Sequence, residues 1–339
     1  VSNRRVKLRY FAIALLPVGV FGIHELILGH LIASDLDVPL EILNDDNTWL
    51  EAVGRFRFLA ASWFFAALAL LPVALLIRNL VQPTARGTRI GACFTALIIF
   101  MLALTPTIQQ AMASTNPRIY HQVGKAVFET ALSRGSLPGC LEPDGLWLLG
   151  RCGDIPVFSM FRRVLDIINA LAGLAVGALI AGMILCLASK DSDDVEENAE
   201  ELARNMHQMR QQLYLSSVIL TFGMFFATSW MYWPMPLILD SAKATYSSLI
   251  TASALFTGTY FCLLMLSFYI PVALILDSRI KRLARLAGQS GATEAIFDVE
   301  DWKKSHGLKE GAGEVLRAGI ALAAPILASF AGGITPFTH

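Results

Sequence analysis

What most constrains this chain is a series of apolar runs, each long enough to cross a bilayer, arranged at its centre as span, charged hook and span from Asp166 to Leu239 with almost no helix breaker. From Ile167 to Ala188 the residues are apolar or small. At about 1.5 Å per residue such a run covers a hydrocarbon core of roughly 30 Å. The acidic stretch Ser189 to Asp194 follows, rich in helix N-cap residues, and then Val195, Ala199, Leu202, Met206, Met209 and Leu213 alternate by fours and threes. That spacing makes a heptad seam. It runs without Pro or Gly into the next apolar stretch, so the charged helix and the span after it can form one rod. Two uses of the seam stay open: packing on its own subunit, or bundling with copies, since a lone amphipathic helix of this length is marginal in water.

With 339 residues and 55% hydrophobic content, the chain has more apolar surface than a water-soluble domain can bury. The fold expected is an all-α, polytopic helical bundle embedded in the lipid bilayer. Six spans are placed at about 10–33, 56–78, 90–109, 164–188, 214–238 and 247–275. In this division 1–109 carries three spans and 110–163 an extracytoplasmic cap; 164–277 carries three more spans with a coil at 190–213, and 278–339 is a tail. The 27 basic and 27 acidic residues cancel formally but are unevenly placed. Arg4, Arg5, Lys7, Arg9, Arg78, Arg86, Arg89, Lys190, Arg204 and Arg210 fall on one side, whereas the loop from Ala33 to Gly54 has no Lys or Arg. By the positive-inside rule both termini are then cytoplasmic.

Cys140 and Cys152 fall in the cap around a Pro-Asp-Gly turn, and a disulfide between them is expected in an oxidising compartment. The other cysteines, Cys93, Cys186 and Cys262, read as small apolar fillers inside spans. Ile119 to Leu132 is expected to form an amphipathic helix of the cap, and Trp230, Tyr232 and Trp233 an aromatic anchor at the outer boundary.

Span one carries His24, Glu25 and His30, ionisable groups that are costly at this depth and face protein, a partner or water. The two His are six apart and do not share a helix face, which excludes the zincin arrangement. They read as polar residues of a wet interface or as the lining of an aqueous path, in the outer half of the span. Asp35, Asp37, Glu41, Asp45, Asp46 and Glu51 follow without a base. They form a solvated surface or, repeated around an oligomer's mouth, a field that concentrates cations. Span six is dense in Ser and Thr, explained either by helix back-bonding or by a polar path. It leaves the membrane through Arg279, Lys281, Arg282 and Arg285, a basic helix that serves topology, lipid contact or an anionic regulator. The apolar stretch 315–334 reads as a helix packed on other subunits or at the membrane's inner face.

The sequence has no nucleophile elbow, Walker loop, dinucleotide fingerprint or metal-ligand spacing, so neither an enzyme nor a cofactor is expected. The run Phe268-Tyr269-Ile270-Pro271, the basic exit to Arg285, Asp301-Trp302, His306-Gly307-Leu308 and the Ala/Leu-rich end resemble the close of a group of bacterial multispan membrane proteins. Within that group the chain is similar to the membrane component of Hailong anti-phage systems, a resemblance covering about the last quarter. It implies a tetrameric channel in the bacterial inner membrane, held shut by an oligodeoxyadenylate oligonucleotide from a partner nucleotidyltransferase. No site residue is carried over from it. The function expected is a homo-oligomeric, cation-preferring pore gated from the cytoplasm; the alternatives are a secondary transporter and a membrane sensor or scaffold.

Overall fold

A computed structural model describes residues 4–28, 43, 50–82, 84–113, 119–134, 158–190, 194–290, 298–309 and 311–334. The described residues are helical, joined by turns and isolated bridges. A 3-10 segment, Leu8–Ala14, leads into α1 (Leu15–Ile27). Then come α2 (Glu51–Val81), α3 (Arg86–Ala113), α4 (Ile119–Arg134) and α5 (Phe158–Leu185). After these follow α6 (Val195–Tyr232), α7 (Asp240–Ser290), the short α8 (Val299–Ser305) and α9 (Ala312–Ile334).

Two kinds of tie fix the two ends of the bundle. At the basic end, isolated bridges join Arg4 to Thr84 and Arg5 to Ser189, so the N-terminus, the α2–α3 turn and the α5–α6 turn meet. At the other end Leu43 bridges Ile238, and the Tyr246 hydroxyl donates to the Met231 carbonyl at 2.8 Å. Helices α1, α2, α3, α5, α6 and α7 therefore alternate in direction. Helix α5 is the central post, most of its apolar stretch being buried, whereas the segment Leu8–Ile27 is largely exposed, with Leu15, Ile23 and Leu26 facing outward.

The continuous rod expected from the charged hook is present as α6, 38 residues long. Asp194 caps it, its carboxylate accepting from the Glu196 amide at 3.0 Å. The seam, however, is used inside the chain. Ala199, Leu202, Met206, Met209 and Leu213 are buried with Met183, Leu187, Leu276 and Ile280, and Val195 packs partly against the same cluster. A marginal amphipathic helix has thus been stabilised by its own α5 and α7, and the seam offers no open stripe to a second copy.

The span count also differs from expectation: among the described residues seven helices are long and apolar enough to cross, the seventh being Ala312–Phe330 within α9. Helix α9 packs along α6 and α7. Gly258, deep in α7, permits this, because a Cβ there would stand 2.9 Å from the Pro325 carbonyl oxygen. At the start of α9 Glu314 pairs with Arg210 at 2.9 Å, beside the basic end, whereas Ala328 joins the cluster at the opposite end. Its Ala, Gly and Pro content lowers hydropathy but supplies close packing, which is why composition alone hid it.

The aromatic anchor is likewise an internal feature. Trp230 and Trp233 are buried, each stacked or tilted 5.3 Å from Phe58, with Phe128 of α4 against them. Helix α4 occupies the expected position, with Val123, Val127 and Ala131 in the same cluster. The hydroxyls of α7 mostly back-bond, as Thr251 to Ser247 at 2.9 Å and Thr257 to Ser253 at 3.0 Å.

Candidate functional site

At mid-depth the helices leave a cavity of about 140 Å³, walled by α1, α2, α3, α5, α6 and α7. Its lining is mostly apolar, from Phe21, Phe65, Val176 and Phe226, but His24, Glu25, Asn169, Thr257 and Tyr260 also reach it. The His24 ring stacks on Tyr260 with centroids 3.9 Å apart and faces Phe256 at 5.4 Å. Its Nδ1 is buried without a hydrogen bond among the described residues and lies 3.6 Å from the Glu25 carboxylate. An imidazole stacked on aromatic faces, with one nitrogen left without a hydrogen bond at the cavity, can hold a polar guest.

His24 sits level with Phe256 and Tyr260 of α7, and Tyr260 lies about 14 residues along that helix from Tyr246, roughly 21 Å from the end tied by the Tyr246–Met231 bond. The segment leading into α1 is fixed at the opposite end. The Arg4 guanidinium pairs with Glu201 at 2.9 Å and donates to Asn205, while Glu201 also accepts from the Lys190 amide and Asn205 donates to the Ala188 carbonyl. This network anchors the N-terminal segment at the basic end of the bundle. Glu201 and Asn205 are buried, so Arg4 is part of the packing.

Of the acidic candidates, Glu51 is the one the described residues include, and it does not line a mouth. It is buried at the start of α2, paired with Arg55 at 2.5 Å and accepting from the Trp233 indole at 2.5 Å. A carboxylate held by a guanidinium and an indole locks α2 to the end of α6; it does not gather ions. His30, Asp35, Asp37, Glu41, Asp45 and Asp46 lie outside the described residues, as do Cys140 and Cys152.

The basic exit divides. Arg279 lies over the Tyr10 ring at 5.2 Å, tying α7 to the first helical segment, and Lys281 pairs with Asp277 at 2.7 Å. Arg282 and Arg285 are exposed on the same helix with no partner among the described residues, so these two remain open to an anion. Asn169 and Tyr260 escaped sequence reasoning because one polar letter in an otherwise apolar run reads as tolerated. The signal was there in principle: an amide in span four and a phenol in span six, each in a stretch long enough to be buried. Searches of protein-family models, curated proteins and solved structures found no match to the chain.

Proposed function

We propose that the chain is a conducting membrane protein of the bacterial inner membrane, a subunit of a homo-oligomeric, non-enzymatic channel gated from the basic, cytoplasmic end. The observation that carries this is the placement of His24 and Glu25: an ionisable pair in an apolar helix, turned to a shared cavity of the bundle. Such groups in a membrane interior line ion or proton paths in preference to serving as filler. Helices α6 and α7 extend unbroken from the cavity wall to the basic end, so a ligand distinguishing two states at Arg282 and Arg285 biases the helices around it. The Hailong resemblance supplies the regulator's class, an oligonucleotide from a partner nucleotidyltransferase, and a tetramer. Copies then meet through outward faces such as α3, where Ile90, Phe94, Leu97 and Met101 are exposed.

A second reading has its own support. The cavity is lined by residues of both buried apolar clusters, such as Ile99 and Ile180 of one and Phe65 and Phe226 of the other. That geometry suits a closed channel or an alternating-access transporter. Reconstitution into liposomes separates them: a channel gives passive current linear in driving ion, a transporter saturable uptake. Under the channel reading Glu25→Gln and His24→Phe alter selectivity or abolish current while assembly persists. Unchanged current in both variants sinks the assignment of the cavity as the path.

A further inference from the structure

A larger cavity, about 380 Å³, lies at the basic end between α6, α7 and the segment carrying α8. Its lining is mixed: Met209, Ile270 and Leu274 are apolar, Asp277 continues the Ile270–Leu274 face of α7, and Glu300, Lys303 and Lys309 come from the segment carrying α8. Its depth is set by α7, which takes about 20 residues from Tyr246 to traverse roughly 30 Å of hydrocarbon. Tyr269 to Leu276 therefore stand at headgroup level. Ile270 and Leu274 are 44% and 61% exposed, so the apolar lining continues onto the lipid-facing surface of the helix.

The charges here are already matched. Lys303 and Lys309 both hold Glu300, at 3.0 and 3.2 Å, and Lys281 holds Asp277 at 2.7 Å. A simple anion has to take the lysines and leave carboxylates bare; a simple cation does the reverse. A zwitterion replaces both partners at once, its phosphate taking Lys303 and Lys309 while its ammonium takes Glu300 and Asp277. The ammonium must donate hydrogen bonds to do so, which a primary amine can and a quaternary amine cannot.

We propose that this cavity binds a phospholipid with a primary-ammonium zwitterionic headgroup, of the phosphatidylethanolamine class, taken from the leaflet at the basic end, with its chains lying over Ile270 and Leu274. Occupancy couples the lipid to α8, since Lys303 is on that helix and Lys309 just beyond it. The inference stands apart from the channel reading and holds for a transporter or scaffold equally.

The test uses the full chain, delipidated in detergent, and counts retained lipid by native mass spectrometry as phosphatidylethanolamine, phosphatidylcholine or phosphatidylglycerol is titrated in. Phosphatidylethanolamine is expected to bind about tenfold or more tightly than the other two, the loss of one good charge-assisted contact corresponding to roughly that factor. Lys303→Ala with Lys309→Ala removes this preference, and the Lys→Arg pair retains it. The wild-type comparison needs no variant to fold. Equal binding of the ethanolamine and choline lipids, or stronger binding of the glycerol lipid, overturns the proposal. So does equal retention of soluble glycerophosphoethanolamine, which makes the cavity a site for a free metabolite.

Discussion

Arg4, Glu201 and Asn205 show how much a few residues decide. Removing one partner of a buried ion pair costs about 3–5 kcal/mol, and Arg4, with 18% of its side chain exposed, falls somewhat lower, about 2–4 kcal/mol. Arg4→Ala is thus expected to lower the thermal midpoint and release α1, read as increased labelling of a cysteine placed at Leu28, which is buried. An unchanged midpoint removes the anchor from the account of how α1 is held. His306 gives a pH-dependent counterpart. Its Nδ1 faces the Trp302 carbonyl at 2.7 Å and its Nε2 the Glu196 carboxylate at 3.0 Å, and these acceptors raise its pKa above the ordinary histidine value. The contact between α8 and α6 is then fully formed below the unfolded pKa of about 6.5 and weakens as pH rises through the higher folded value. The protection of the 299–305 amides, with the intrinsic pH dependence of exchange divided out, is expected to fall from pH 6 to pH 8, and His306→Gln to flatten that fall.

Among the elements, α9 carries the sharpest expectation. If it crosses, reporters attached beyond its end and ahead of Arg4 fall on opposite sides of the membrane, whereas six spans put them on the same side. Gly258→Leu drives a side chain into Pro325 and Ser329; overpacking of this kind costs about 1–3 kcal/mol and is expected to loosen α9, read as protease sensitivity after Ala312. Gly258→Ala should do less. The long elements were legible in the sequence because an apolar run of membrane length has few alternatives, and α6 was legible as a rod because Val195–Tyr232 holds no Pro and a single Gly, Gly223. Where the seam points was not. Period 3.5 says that Leu202 and Met209 share a face, but only the tertiary placement of Leu187 and Ile280 says what covers it. The same limit applies to Trp230 and Trp233, whose letters suit a lipid interface and a packed core equally.

For the whole molecule, the positions of charged groups proved harder to read than the spans. Glu51 sits in an acidic stretch of sequence, yet its partners Arg55 and Trp233 withdraw it from solvent. Arg279 belongs to a basic run, yet Tyr10 engages it. In each case a residue distant in sequence decides, and pattern cannot supply it. Arg282→Glu with Arg285→Glu is expected to abolish response to an anionic cytoplasmic factor while leaving assembly and conductance in place; an unaltered response reduces this segment to a topology signal. The Arg4 anchor also has a temporal side. Its carboxylate partner Glu201 lies 197 residues further along the chain, so at synthesis rates of about 5–20 residues per second the first span waits about 10–40 s before it can be fastened. During that interval His24 and Glu25 have no fixed depth. A nascent chain halted before Glu201 leaves this first span free to slide, and chaperone or protease capture of such intermediates should fall once α6 has been made.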